Sequence, residues 1–163
     1  MPALFFSALR PNAGSRRGKP MISQYTKPYI LMDPILPELQ AAAAGLLFRS
    51  ESDYPFETVD LGRAKYLEPT PAQLLEMLDL PVGTPARTVD LAYFLRNMTR
   101  TSPEQSPAMQ EEAARFQALE RLFVERLAHV QVIRLGEVQV EAFLLGSTPT
   151  GRLVGLKTRL VET

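Results

Sequence analysis

The segment from Ser50 to Asp60 is the richest in side chains that could take part in catalysis or binding. It contains two serine hydroxyls and four carboxylates, which belong to Glu51, Asp53, Glu57 and Asp60. Carboxylates at this density can bind a hard cation, act as general acid and base, or imitate a phosphate towards a basic partner. The alternative is a solvated acidic turn that caps nearby amides. Because the spacing matches neither the EF-hand loop nor a catalytic motif, the segment alone does not predict a metal site.

Two further features carry charges that chemistry or binding can use. His129 is the single histidine and follows the last turn of a predicted long helix, where the helix dipole favours a cation. A predicted strand runs almost to Thr163, so the carboxylate there projects as a rigid anion unless this end is frayed. One hypothesis is therefore an enzyme that uses His129 and the acidic segment on a metal-bound water, and another is a binding protein that presents carboxylates.

Composition limits the classes of protein that remain. The chain has 163 residues, of which 45% are hydrophobic, a length and composition typical of one globular domain. The absence of cysteine excludes disulfides, thiolate zinc sites and cysteine nucleophiles, and it suits a reducing compartment. No apolar run approaches the roughly 18 residues that a membrane-spanning helix needs, so no membrane association is predicted.

The first 31 residues differ from the rest of the chain in charge. They contain five basic residues, four prolines and no acid. Since the whole chain has 18 basic and 18 acidic residues, residues 32–163 hold 13 basic and 18 acidic ones, a net charge of −5. We predict a disordered basic arm over 1–31 and a folded acidic domain over 32–163. The negative charge of this domain would repel nucleic acid. A targeting segment, or a later start at Met21 or Met32, remains open for the arm.

Helical patterns occupy the first and central parts of the predicted domain. A helix is predicted over residues 33–48, with Asp33 and Pro34 as its cap and first turn. Short helices are predicted over 70–78 and after Asp90, and a loop over 99–108. The longest periodic segment, residues 109–129, predicts an amphipathic helix with an apolar stripe and a charged outer face.

Strand patterns concentrate at the carboxyl-terminal end of the chain. A polar turn over 50–55 precedes a short predicted strand over 56–61. Three consecutive strands are predicted over residues 130–135, 138–145 and 153–161. The tight connection over 148–151 favours antiparallel pairing of the last two. Because helices dominate the first part of the chain and strands the last, the order favours an α+β fold over a repeating βαβ chain.

Two separated motifs stand out in the sequence. The first motif is GLLFRSESDYPFE at residues 45–57. The second is RLGEV at 134–138, continued by GSTPTG at 146–151, LVGL at 153–156 and the final VET at 161–163. Both motifs are similar to those of the nuclease A inhibitor family, and the run RFQ at 115–117 with Leu119 also resembles the long helix of that family. The resemblance covers residues 33–61 and 109–163 well, and residues 62–108 only loosely.

The resemblance implies a function and a fold. It implies a cytoplasmic inhibitor of a magnesium-dependent, sugar-non-specific DNA and RNA endonuclease, not an enzyme, with no cofactor or metal of its own. A monomer that forms a one-to-one complex suits such an inhibitor. The implied fold is a three-layer α/β/α sandwich with a mainly antiparallel sheet, similar to PR-1 proteins. In that family a glutamate of a Ser-Glu-Ser motif and the carboxylate of the last threonine enter the nuclease site, and these positions correspond here to Glu51 and Thr163.

Neighbouring side chains are expected to make lesser contacts with the partner. These are Ser52, Asp53, Tyr54, Glu57 and Glu162. The chain also departs from the family pattern, because the basic arm has no recognised counterpart and residues 58–60 are more polar than expected. A binding module of the same fold whose partner is not a nuclease therefore remains the alternative.

Overall fold

The computed structural model describes residues 34–163, so the predictions for the arm over 1–31 and for the cap at Asp33 lie outside the described residues. The helices are α1 (Ile35–Ala43), α2 (Pro71–Met77), α3 (Leu91–Phe94), α4 (Arg96–Thr99) and α5 (Pro107–Arg126). The strands are β1 (Leu47–Arg49), β2 (Asp53–Pro55), β3 (Glu57–Arg63), β4 (Ala86–Val89), β5 (Ala128–Leu135), β6 (Gln139–Ser147) and β7 (Arg152–Val161). Among these helices, none has the length and apolar content needed to cross a bilayer.

The strands form one large and one small antiparallel sheet. The large sheet has the order β3-β7-β6-β5-β4, and the small one is the β1–β2 hairpin. β6 and β7 pair over their whole length, from Ser147 opposite Leu153 to Gln139 opposite Val161. The predicted α+β class with a mainly antiparallel sheet is confirmed, whereas the PR-1-like arrangement stays a prediction.

Both faces of the large sheet carry a hydrophobic core. Successive residues of β6 alternate between the two cores, as the period of a strand requires: Leu144 belongs to one and Leu145 to the other. The first core contains side chains of α1, α3, α4 and α5, among them the fully buried Phe116 and Phe123. The second contains Leu74 of α2. The sheet is therefore held in place from both sides, which fixes the positions of its strand ends.

The first helix is shorter than the sequence predicts. It ends at Ala43 instead of continuing to Phe48, because Gly45 adopts a left-handed φ of 78°. The Arg115 guanidinium donates hydrogen bonds to the carbonyls of Ala42 (3.1 Å) and Ala44 (2.7 Å). These bonds satisfy carbonyls that the end of a helix leaves unpaired. The residues predicted as its last turn instead form β1, which begins the hairpin.

The long helix also ends earlier than predicted. α5 ends at Arg126, since Leu127 is already extended (φ −124°, ψ 151°), and His129 belongs to β5 with a φ of 54°. The Arg126 guanidinium pairs with Glu38 of α1 and lowers the pKa of that carboxyl through its hydrogen bond. This ion pair joins two of the helices that cover the first core. The predicted loop over 99–108 is shorter as well, because α5 begins at Pro107.

Helix starts follow the predicted capping chemistry. The Thr70 hydroxyl accepts a hydrogen bond from the Gln73 amide, and the Gln73 side chain accepts one from the Thr70 amide, which is a capping box. Asp90 caps α3 through the Tyr93 amide at 3.2 Å. The four predicted strands are also observed, with shifted ends. The prediction lacks the short strands β1, β2 and β4 and the separate helix α4.

Candidate functional site

The turn between β1 and β2 is fastened to the end of β7. Ser50 Oγ donates to the Ser52 carbonyl (2.7 Å) and accepts from the Val161 amide (3.1 Å). The Glu51 amide donates to the Val161 carbonyl at 3.4 Å. A side-chain hydroxyl and a backbone amide thus connect a three-residue turn to a strand of the large sheet. The position of Glu51 is therefore set by a rigid element.

The structure brings together the two residues that the resemblance selects. The Thr163 amide and hydroxyl both donate to Glu51 Oε2, at 3.0 and 2.6 Å. Both residues are exposed to solvent although 112 positions separate them in the sequence. The surface formed by Glu51, Glu162 and Thr163 is called the carboxylate end below. The Glu51 side chain is held in one orientation by these two donors.

Glu162 is tied to the neighbouring strands. Its amide donates to the Val138 carbonyl at 2.8 Å, in the turn between β5 and β6. Its carboxylate pairs with the guanidinium of Arg134, whose side chain is only 12% exposed. The residues after β7 therefore continue the hydrogen bonding of the sheet. Glu162 is held in place and is not frayed.

The charge of Glu51 is not neutralised within residues 34–163. No lysine, arginine or histidine nitrogen of this part of the chain lies within 4.0 Å of its carboxylate, and its partners are the neutral donors of Thr163. Uncharged donors hold a carboxylate in place without cancelling its charge. The carboxylate end can therefore offer this charge to a cation or to basic groups of a partner.

The four acids predicted as a cluster do not form one site. Asp60 pairs with Arg152 at 2.7 Å, near the start of β7, whereas Glu51 lies at the end of that strand. Nine residue steps separate Arg152 from Val161, which is about 30 Å of strand. Proximity in the sequence was misleading because β3 is extended. Within the described residues these acids therefore do not converge on a cation site, which agrees with a spacing that predicts none.

His129 does not join the acidic segment. It lies near the beginning of β5, next to the pairing of Ala128 with Ser147, while the carboxylate end adjoins the opposite end of the sheet. Its Nδ1 atom is 3.4 Å from Glu68 Oε1. The structure therefore does not bring His129 together with Glu51, and two strands, β6 and β7, separate it from Asp60 of β3.

The expected lesser contacts differ in their distance from Glu51. Ser52 follows it directly and Glu162 belongs to the carboxylate end. Asp53 is exposed at the start of β2. Tyr54 is half-buried, and its carbonyl accepts from Thr158 Oγ1 at 3.4 Å. Glu57 is opposite Lys157, four residues before Val161 and so about 13 Å along β7. Their roles towards a partner stay predictions.

Sequence reasoning missed a pocket beside the carboxylate end. The pocket has a volume of about 560 Å³, and Glu51, Glu162 and Thr163 are among its lining residues. Its other lining residues include the four arginines Arg49, Arg87, Arg96 and Arg134. The anchoring role of Ser50 was missed too. The arginines come from four separate elements, so their convergence is visible only when the strand pairing is known.

Comparison with known proteins assigns the family. No curated protein shows a significant match to the chain. The family model described as NuiA, nuclease A inhibitor-like protein, matches residues 33–163. The match includes the β1–β2 turn, the strand β7 and the residues that follow it. The chain therefore belongs to the nuclease A inhibitor-like family.

Proposed function

We propose that this protein inhibits a magnesium-dependent, sugar-non-specific endonuclease by inserting its carboxylate end into the active site. Glu51 and the terminal carboxylate of Thr163 take the place of a substrate phosphate there. The observation that carries the proposal is the hydrogen-bonded contact of Glu51 with Thr163, at 3.0 and 2.6 Å, on an exposed surface where Glu51 has no ion-pair partner among the described residues. Family membership supports a nuclease as the partner.

The chemistry of the proposed target suits carboxylates. A magnesium-dependent nuclease holds a phosphodiester against a hard cation, its water shell and basic side chains. A carboxylate offers anionic oxygens to the same groups but contains no bond that the nuclease can cleave. Because the Thr163 donors already hold Glu51 in one orientation, little rotamer freedom is lost when the complex forms.

The charge of the domain favours rapid encounter with such a partner. Residues 32–163 carry a net charge of −5, whereas a channel that binds nucleic acid is basic. Opposite fields raise the association rate, and this effect falls as salt is added. The proposal describes a cytoplasmic protein that is monomeric when free and blocks one nuclease molecule per chain without any cofactor.

The proposal is tested by recovery of the partner. The full chain is given an affinity tag at its amino terminus only, so that the carboxylate of Thr163 stays free. Proteins retained from the native extract are assayed for magnesium-dependent cleavage of plasmid DNA and of RNA. We expect a nuclease that is silent in the complex, active after separation and silenced again by added inhibitor. A retained partner that shows no cleavage after separation contradicts the proposal and favours a non-inhibitory binding module.

A further inference from the structure

We propose that the pocket beside the carboxylate end binds a carboxylate side chain of the partner protein through Arg87, Arg96 and Arg134. This arginine pocket has a volume of about 560 Å³ and an apolar floor that includes Phe94 and Leu160. The inference rests on the proposed function in that the bound partner is the inhibited nuclease. It adds a second recognition site of opposite charge to the first.

The first argument is a repulsion built into the sheet. Arg87 of β4 and Arg134 of β5 are direct partners in the antiparallel register. Like charges directly opposite each other destabilise a strand pair. Glu162 pairs with Arg134, but no carboxylate within residues 34–163 pairs with Arg87. A second anion at this position would relieve the repulsion.

The second argument is an unused donor. The Nε atom of Arg134 is buried and has no hydrogen-bond acceptor among the described residues. Buried donors of this kind are rare, because an unmade hydrogen bond costs free energy. Glu162 accepts only from the terminal nitrogen of the same guanidinium. The ion pair with Glu162 therefore leaves part of the hydrogen-bonding capacity of this guanidinium unused.

The third argument is the preorganisation of Arg96. Its guanidinium lies 3.7 Å from the centre of the Tyr93 ring and donates to the Tyr93 carbonyl at 2.7 Å. These contacts fix the plane of the guanidinium and do not neutralise its charge. Planar guanidinium groups bind carboxylates through paired hydrogen bonds. The pocket is thus lined by the oriented guanidinium of Arg96 and by the Arg87–Arg134 pair.

The surroundings favour a single carboxylate over a nucleic-acid strand. Glu51, Glu162 and Thr163 line the same pocket and place negative charge beside the arginines. A strand with successive phosphates would meet this charge, whereas an aspartate or glutamate side chain brings one charge and an apolar stem for the floor. The alternation of charge across one surface would set the orientation of the partner.

The test uses small probes in place of the nuclease. The full chain labelled with ¹⁵N is titrated, at constant ionic strength, with a blocked Gly-Glu-Gly peptide, a blocked Gly-Gln-Gly peptide and a short oligothymidylate. We expect the glutamate peptide to shift the Nε–H signals of Arg87, Arg96 and Arg134 with half-saturation at roughly 10 mM. The glutamine peptide should leave them unchanged. Equal shifts with both peptides, or larger shifts with the oligothymidylate, would overturn the inference.

Two variants complete the test. Arg87→Gln should abolish the response to the glutamate peptide, and its thermal midpoint should equal or exceed that of the wild type, because the repulsion across the strand pair is removed. Arg121→Gln, an exposed arginine on α5, should retain the response. A response that survives in Arg87→Gln contradicts the inference. Since no nuclease is present, failure here leaves the proposed function intact, and failure of inhibition leaves this result intact.

Discussion

The acidic side chains at the two ends of β7 differ in the charge of their hydrogen-bond partners. At its start, Asp60 accepts a hydrogen bond from Arg152 at 2.7 Å and another from the Gly62 amide at 2.8 Å. At its far end, Glu51 accepts from the amide and hydroxyl of Thr163. Both carboxylates are held by two donors. Only the first is paired with a positive charge.

This difference separates a structural acid from one available for binding. The side chains of Asp60 and Arg152 are 24% and 28% exposed, so loss of either one would leave a largely buried charge without its partner. The carboxylate of Glu51 forms no ion pair within residues 34–163, and Glu51 lies on an exposed turn. An acid that the fold orients but does not neutralise is the better candidate for a partner's cation.

The largest expected effect is a loss of inhibition when the charge of Glu51 is removed. Glu51→Gln keeps an oxygen acceptor for Thr163 but removes the charge, and losing a buried charged contact in a complex typically costs about 2 to 5 kcal/mol. We expect the inhibition constant to rise by about 30-fold or more. The free energy of unfolding should change by less than about 0.5 kcal/mol. An unchanged inhibition constant would remove Glu51 from the site.

The next effect concerns the other half of the carboxylate end. Adding Gly-Ser after Thr163 moves the terminal carboxylate away from Glu51 and adds bulk where the nuclease is expected to close. We expect inhibition to weaken by about tenfold, or about 1.4 kcal/mol, with unchanged thermal unfolding. The same two residues added at the amino terminus are the matched control. A carboxyl-terminal extension that inhibits as well as the wild type contradicts a role for the terminus.

Removing the charge of Asp60, at the start of β7, should reduce stability and leave inhibition unchanged. Asp60→Asn leaves the Arg152 guanidinium, whose Nε already has no acceptor among the described residues, without its anionic partner. We expect the free energy of unfolding, measured in urea, to fall by about 1 to 2 kcal/mol. Inhibition by the folded variant should be unchanged. Glu111→Gln, an exposed acid on α5, is the control for loss of charge alone. Weakened inhibition in Asp60→Asn would erase the distinction between the acids.

Removing the hydroxyl of Ser50 tests whether the turn between β1 and β2 positions Glu51. Ser50→Ala removes the acceptor of the Val161 amide and the donor to the Ser52 carbonyl. Such a hydrogen bond contributes about 1 kcal/mol, so we expect inhibition to weaken by roughly fivefold. Ser50→Thr, which keeps the hydroxyl, should inhibit better than Ser50→Ala. If alanine and wild type inhibit equally, Ser50 does not position Glu51.

The smallest effect concerns a third acid, Glu38. Its hydrogen bond from Arg126 lowers its pKa below the ordinary value of about 4.5. A carboxylate whose pKa is lower in the folded state adds stability above its ordinary pKa, and this contribution disappears as the pH falls through the lowered value. The stability difference between wild type and Glu38→Gln should therefore be present at neutral pH and vanish in acid. A difference that persists in acid would show a cause other than the charge.

Local features of the sequence predict the helix starts and the main strands well. The caps at Thr70 and Asp90 act on amides three residues away, so their effect is contained in a short stretch of chain. The long apolar stripe of α5 also reveals its buried face. The helix ends were less predictable. They depend on the left-handed φ of Gly45 and on Arg115, which approaches from another helix.

The candidate site depends on contacts between distant segments. Periodicity gives no reason to place Glu51 beside Thr163, and only the resemblance to a family brought them together. The sequence left the role of the acidic segment open, and its members lie apart because residues close in sequence spread along an extended strand. The arginine pocket was missed because β4, a four-residue edge strand with two half-buried positions, has too little apolar pattern to be recognised. Without β4, the pairing of Arg87 with Arg134 cannot be anticipated.

The central claim is that the carboxylate end occupies the nuclease active site. The most direct test measures the apparent inhibition constant of the full chain at increasing concentrations of DNA substrate, at fixed magnesium and ionic strength. We expect competitive inhibition, in which the apparent constant rises in proportion to substrate once the substrate exceeds its Michaelis constant. An apparent constant that does not depend on substrate concentration would show that the inhibitor binds outside the active site, contrary to the proposed function.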